Sequence, residues 1–381
     1  MSLGDGTRTG LFLAAFFAAG AITTAFLPLW FADQGLTPGQ IGQVLGSASL
    51  LRVFAVPGLG WVADAGGHPR LSLFAAASCA ALCAALFPVA PGTLALTAVV
   101  ALQGVASSSL APLTDALTLA LAAARRLDYG RTRAWGSVSY MLASAGGGVL
   151  LGRTGTGVVP FLLAGFYGFA AVLASLLPRI AAPDRAGRGL EGPLRSPVFR
   201  LALLASALIQ GSHAAYYGFA GLHWRSAGIP DAVIGLLIAE GIVAEIALFI
   251  WGRRLAERLG PARLTGLAAA ACVVRWTATA FVTAVPALAA LQLLHAGTFA
   301  FQHLSAMMVL RGLPPERAGM AQALLAALGF AAPAGMLTWL SGRLYESAGG
   351  LTFLAMAALG VLAFPVAGAL GRALRPAARS G

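Results

Sequence analysis

Ala63-Asp64-Ala-Gly-Gly67-His-Pro-Arg70 reappears as Ala256-Glu257-Arg-Leu-Gly260-Pro-Ala-Arg263. The acid, the glycine and the arginine recur at one offset of 193 residues (64 to 257, 67 to 260, 70 to 263), close to half of the 381-residue chain. Each copy stands in a short polar gap between two long apolar runs. A chain of two similar membrane halves, each with the same acidic-Gly-Arg hairpin, is organised as a two-bundle carrier.

Composition points the same way. Hydrophobic residues make up 59% and charged residues 10%, which excludes a soluble domain, where roughly 25% are charged. A spanning helix needs about 20 apolar residues to cross roughly 30 Å of hydrocarbon. Twelve such runs lie near 11–31, 39–61, 71–89, 94–122, 134–151, 157–178, 200–222, 230–251, 264–284, 286–310, 319–341 and 350–371. The expectation is an all-α membrane protein of twelve transmembrane helices in two pseudo-symmetric six-helix bundles. The first run is too long for a signal-peptide core and is read as a retained helix.

The net charge of +12 orients the chain and does not mark a nucleic-acid binder. All 25 basic residues are arginines. With the N-terminus inside, 20 of them fall in cytoplasmic segments, and Arg153, Arg225 and Arg343 fall outside. This asymmetry follows the positive-inside rule and places both termini in the cytoplasm of a multi-pass protein of the cell inner membrane. Cys79, Cys83 and Cys272 lie within spans and read as small packing residues. The sequence has no CxxC, metal-ligand cluster, phosphate-cradling loop or nucleophile elbow. It therefore predicts no enzyme, no metal and no cofactor beyond a coupling proton.

The stretch from Arg179 to Arg200, with Pro183, Pro193 and Pro197, is the long polar segment of the chain. It divides a first bundle, residues 1–178, from a second, 200–381, with a cytoplasmic loop at 179–199. Glycine and proline are spread through the helices, where backbones approach or bend. Trp30, Trp61, Trp224 and Trp251 sit at run ends and read as headgroup-level anchors.

Ionisable side chains inside apolar runs cost several kcal/mol, on the order of 3 by insertion scales, and each calls for a reason. These are Arg52, Asp115, His213, Glu240, Glu245, Arg275, His295 and His303, six of the eight on helices 7 to 10 of the second half. A buried carboxylate near a buried arginine stabilises both charged forms, and an imidazole beside them can change protonation. Glu245, Arg275, His295 and His303 are the expected proton-coupling group. The bland alternative is a static Glu245–Arg275 ion pair locking two helices. Glu240 lies roughly 140° from Glu245 in helical projection, so one of them faces a neighbouring helix. Arg52 either lines a cavity or snorkels to the interface.

The hairpin from Gly60 through Asp64 and Gly67 to Arg70 resembles the signature loop of the major facilitator superfamily, and Glu257, Gly260 and Arg263 form its second copy. The resemblance implies a gating motif whose acid and arginine contact a neighbouring helix in one conformation only. As a bare turn the hairpin explains Gly67 but not the repeated acid and arginine. Further strings resemble the phenylpropionate permease family, a relative of the lactose and nucleoside proton symporters. They are Pro112-Leu-Thr-Asp115, Leu127-Asp128-Tyr-Gly130-Arg-Thr-Arg133-Ala-Trp135-Gly-Ser137, Gln210-Gly-Ser-His213-Ala-Ala-Tyr216-Tyr217-Gly-Phe219, Val274-Arg275-Trp276 and Leu294-His295-Ala-Gly297-Thr-Phe299. Glu245, Arg275 and His295 also resemble the coupling group of lactose permease, except that Thr298 stands where that protein carries a second acid.

The resemblance implies proton-coupled uptake of a small aromatic carboxylate such as a phenylpropanoid acid, by alternating access and as a monomer in the bilayer. Arg275, Asp115, His213, Tyr216, Tyr217, Trp276 and Arg52 are the expected substrate contacts. An aromatic ring stacks on the tyrosines and a buried arginine meets its carboxylate. The alternatives are sugar or nucleoside symport and drug or metabolite export. Helix 5, Trp135–Gly152, has Gly146-Gly147-Gly148 but lacks the Gly-Pro pattern of the superfamily's exporters, which weighs against export.

Overall fold

Thr37 and Gln40 open a long helix by capping each other: Gln40 N donates to Thr37 Oγ1 at 3.3 Å and Thr37 N donates to Gln40 Oε1 at 2.9 Å. This reciprocal pair satisfies two amides that the first helical turn leaves unbonded. Pro38, whose missing N–H costs nothing at that position, follows it. Asp128 and Ser196 cap two other helices with a single bond each, accepting from Arg131 N at 2.6 Å and Phe199 N at 3.3 Å.

The computed structural model describes residues 4–66, 68–178 and 191–375, with side chains except at 56–66, 191, 253, 315, 316 and 318. The described residues form helices and no strand. In order these are α1 (Asp5–Asp33), α2 (Pro38–Gly66), α3 (Pro69–Leu86), α4 (Gly92–Ser108), α5 (Leu110–Ala123), α6 (Tyr129–Thr154), α7 (Val159–Ser175) and α8 (Glu191–Leu194). There follow α9 (Pro197–Gly211), α10 (Gly221–Ser226), α11 (Asp231–Trp251), α12 (Arg253–Phe281), α13 (Val285–His295), α14 (Phe301–Arg311), α15 (Pro315–Leu324), α16 (Ala332–Ala348) and α17 (Thr352–Ala373). Tyr216–Ala220, Ala296–Ala300 and Leu325–Ala331 are π-helical inserts.

Nine helical stretches among the described residues are long and apolar enough to cross a membrane. Gly319–Ala373 counts once although it carries two of the apolar runs; α2 and α6, of 29 and 26 residues, lie outside the count. Hydroxyls within the spans bond back to their own helix, as Thr114 to Leu110 O and Thr118 to Thr114 O, both at 2.6 Å. No water is needed to satisfy them. Large apolar side chains such as Phe54, Leu94 and Trp251 are exposed, as lipid-facing positions require.

By contact, the chain forms two compact units. The first is Met1–Asp184 with Tyr217–Ala239 and Thr338–Glu346; the second is Arg185–Tyr216, Glu240–Leu337 and Ser347–Gly381. Contacts thus group the chain differently from the repeat, because two segments of its second half pack on α1, α2 and α6. Glycines make that packing possible. A Cβ at Gly42 of α2 would lie 2.7 Å from the Gly342 Cα on α16, and one at Gly235 of α11 would strike Ser144 O of α6.

In the second unit, α9, α14 and α15 enclose Phe199, Ala306, Leu310 and Leu325. Leu370 of α17 joins Ala202 and Val309. The duplicated hairpin is visible in its second copy, where Gly260 (φ 73°) breaks α12 between Glu257 and Arg263 in a conformation that favours glycine. In the first copy, Arg70 starts α3; Gly67 and the side chain of Asp64 lie outside the described residues, as Gly60 does beyond its helical backbone.

The tryptophan expectation is corrected in part. Trp30 and Trp224 are buried at helix ends covered by neighbouring helices, Trp30 against Phe31 and Phe87. Trp251 is exposed as an anchor would be, and Trp61 lies outside the described side chains. Cys79, Cys83 and Cys272 are free thiols.

Candidate functional site

Arg275 lies within α12 and is fully buried in the second unit. Its guanidinium lies over the rings of Tyr216 and Trp276, 4.5 Å from each centroid. Such cation–π contacts stabilise a desolvated guanidinium by about 2 kcal/mol. Nη1 donates to Thr298 Oγ1 at 3.1 Å and faces His295 Nδ1 at 2.9 Å. Nη2 donates to Gln292 Oε1 at 3.0 Å, and the Tyr216 hydroxyl donates to the same oxygen at 2.9 Å. On the other edge of the His295 ring, Nε2 lies 3.4 Å from Glu245 Oε2. The imidazole therefore links carboxylate and guanidinium.

The protons of this network are determined by its partners. A guanidinium has donors and no acceptor, so His295 Nδ1 carries a lone pair and its ring proton sits on Nε2, towards Glu245. His213 is held the other way round. Its Nδ1 faces the carbonyls of Ile209 and Gln210 at 3.1 and 3.3 Å and must donate. Its Nε2 lies 3.0 Å from Thr298 Oγ1, whose hydroxyl also donates to the His295 carbonyl at 3.2 Å. The His295 imidazole is neutral in this arrangement, with its proton on Nε2.

The local fold produces the convergence. α9 ends at Gly211, so His213 sits on a turn, and the π-helical insert from Tyr216 follows at once. A second π-helical insert begins directly after His295 and carries Thr298. Such wider turns break the 3.6-residue phase and recur at functional sites. Trp276 donates from Nε1 to Ser212 Oγ at 2.9 Å, and Ser212 lies 3.4 Å from Cys272 Sγ. Trp276 is fully buried, so it supports the guanidinium from beneath.

His303 stands apart from this hydrogen-bonded group. It lies among Phe249, Phe299 and Phe330, and its buried Nδ1 has no hydrogen-bond partner among the described residues. Glu245 is within electrostatic reach of it, as Glu240 is of Tyr216. Gln292, Thr298 and Ser212 complete the site and were not among the expected contacts. Gln292 had a signal, a polar side chain one turn before His295 in an apolar run.

The remaining expected residues belong to the first unit. Asp115 on α5 lies 3.8 Å from Arg133 on α6, whose guanidinium covers the Phe17 ring at 4.2 Å. Arg52 on α2 packs on α4, where a Cβ at Gly104 would lie 2.8 Å from its Nη2. Its Nε is buried. Tyr217 also groups with the first unit and is partly exposed.

An ion-pair cluster that the expectations lacked joins α1, α10 and α11. Arg225 holds Asp231 through Nε and Nη2 at 2.9 and 2.8 Å, and Asp33 through Nη1 at 3.1 Å. Thr156 donates to Asp33 Oδ2 at 2.6 Å.

The profile of the MFS_1 like family matches residues 7–355. The chain is 34% identical, over 90% of its length and 91% of the relative's, to a probable 3-phenylpropionic acid transporter of Escherichia coli (strain K12). It is 30% identical to the maltose permease of Geobacillus stearothermophilus, over 70% of this chain and 68% of that one. In structure it is similar to the nucleoside transporter NupG (D323A mutant), with a TM-score of 0.83 at 15% identity, covering 97% and 100% of the two chains. An inward-facing, unoccupied bacterial homologue of the human lysosomal transporter Spinster gives a TM-score of 0.75 at 12% identity, over 97% and 96%. At these identities the structural likeness concerns the fold.

Proposed function

The chain belongs to the MFS_1 like family, which makes it a multi-pass membrane transporter, and from that premise we propose proton-coupled uptake of a small aromatic carboxylate. It works as a monomer by alternating access in the cell inner membrane, with twelve spans and both termini in the cytoplasm. The coupling ion is a proton, and no metal or organic cofactor takes part. The observation that carries this reading is the line Glu245–His295–Arg275 inside apolar helices, with aromatic rings against the guanidinium. The relative described as a probable 3-phenylpropionic acid transporter supports the choice of substrate class.

Glu245 carries the coupled proton. His295 Nδ1 is occupied by Arg275, so that imidazole accepts no further proton without breaking a buried bond. Protonating Glu245 removes the negative charge that faces the His295 N–H. The site then carries the Arg275 charge with less compensation, which favours a substrate carboxylate. Proton and anion bind together and cross as a neutral sum. Arg275 anchors the carboxylate, Tyr216 contacts the ring, and His213 and Trp276 hold the anchor in place. Asp115 and Arg133 act as a gate in the first unit.

Sugar symport is the second reading, supported by the relative named as a maltose permease. A binding screen of aromatic acids, sugars and nucleosides on the purified protein separates the two. Aromatic acids are the expected ligands; a sugar or nucleoside bound in their place overturns the proposal.

A further inference from the structure

We propose that Arg52 is an anion-binding group in its own right, which takes one carboxylate in the first unit. Three other arginines of the first unit face acids. Arg133 faces Asp115, Arg126 pairs with Asp5, and Arg225 holds two aspartates. Arg52 has no such partner among the described residues. Its Nε is buried and bonds to nothing, and the titratable side chain near it is the phenol of Tyr167. The groups that share this neighbourhood are neutral hydrogen bonders: Tyr167 lies by Thr23, Gln103 and Ser107. Gln103 and Tyr167 are each 2% exposed.

The seat for the guanidinium is built into α4. A Cβ at Gly104 would stand 2.8 Å from Nη2 and 3.0 Å from Nε, so glycine lets the planar group lie flat on the helix. A cation held in an apolar span without an anion is costly, and removing the cost takes a negative ligand. A guanidinium presents parallel N–H donors that match the two oxygens of a carboxylate. Arg275 differs, since three neighbouring side chains already engage its Nη atoms. The inference rests on the reading of the substrate as a carboxylate and gives that carboxylate a binding place within the first unit.

The test is equilibrium binding of 3-phenylpropionate and its neutral amide to the purified wild type, Arg52→Gln and Arg52→Lys. The wild type prefers the acid. Arg52→Gln loses about tenfold or more in affinity for the acid, the worth of a charge-assisted hydrogen bond, and leaves the amide unchanged. If Arg52→Gln does not fold, Arg52→Lys carries the test, because it keeps the charge and loses the two-pronged donor, and it shows a smaller loss for the acid alone. Unchanged acid affinity in the folded variant, or an equal loss for acid and amide, overturns the inference and leaves the proposed function standing. A wild type that binds sugars or nucleosides and no carboxylate overturns both.

Discussion

Arg275 Nη1 faces His295 Nδ1 at 2.9 Å, and because a guanidinium offers no lone pair, that contact decides where the imidazole keeps its proton. The ring proton therefore sits on Nε2, the nitrogen 3.4 Å from Glu245 Oε2, and the proposed coupling role of that carboxylate starts from this contact. Several consequences can be measured.

Glu245→Gln keeps the shape of the carboxylate and removes its titration. Uphill, proton-driven accumulation is lost, while exchange of labelled for unlabelled substrate persists because it moves no net proton. Accumulation at the wild-type level in this variant would show that the proton travels elsewhere.

Arg275→Ala leaves Glu245 and His295 buried without the cation that orients them. Breaking a buried charged pair in this way costs about 3–5 kcal/mol. The thermal midpoint in detergent falls and substrate binding is lost. Glu245→Gln/Arg275→Ala is more stable than Arg275→Ala alone if the two charges are coupled; a midpoint no higher in the double variant separates them.

The cluster of Arg225 with Asp33 and Asp231 ties the end of α1 to the start of α11. Arg225→Ala leaves two carboxylates facing each other and loosens that end. A cysteine at Leu29, buried in the wild type, then reacts faster with a small thiol reagent. Equal labelling in both backgrounds means that the cluster does not hold α1 against α11.

These sites were legible to different degrees, for physical reasons. Glu245, Arg275 and His295 stand out because an ionisable group in an apolar run has no cheap place. Gly260 stands out because a duplicated glycine marks a turn, and its positive φ agrees. Gln292 and Thr298 are as essential to the network, yet neutral polar side chains satisfy themselves on their own helix so often that the signal of Gln292 beside His295 is weak and Thr298 has none. Arg225 and Asp33 are 192 residues apart, and no local pattern brings them together. The π-helical inserts beside His213 and His295 shift the helical phase, so projection angles cannot tell which side chains converge. Trp30 and Trp224 misled because a helix end reads alike whether lipid or another helix covers it.

Orientation rests on the arginine asymmetry. Single cysteines at Arg188 and Arg258 react only with reagents that enter the cytoplasm, and one at Arg225 reacts from outside. Labelling of position 188 in intact cells by an impermeant reagent inverts the topology.

The central claim is that one proton and one aromatic carboxylate cross together, with Glu245 carrying the proton. External pH, followed as 3-phenylpropionate is added to lightly buffered proteoliposomes, tests it most directly. The account predicts a substrate-dependent alkalinisation with the wild type that is absent with Glu245→Gln and with protein-free vesicles, the last excluding leakage of the neutral acid. Substrate entry without a pH change in the wild type, or an identical change in Glu245→Gln, would contradict it.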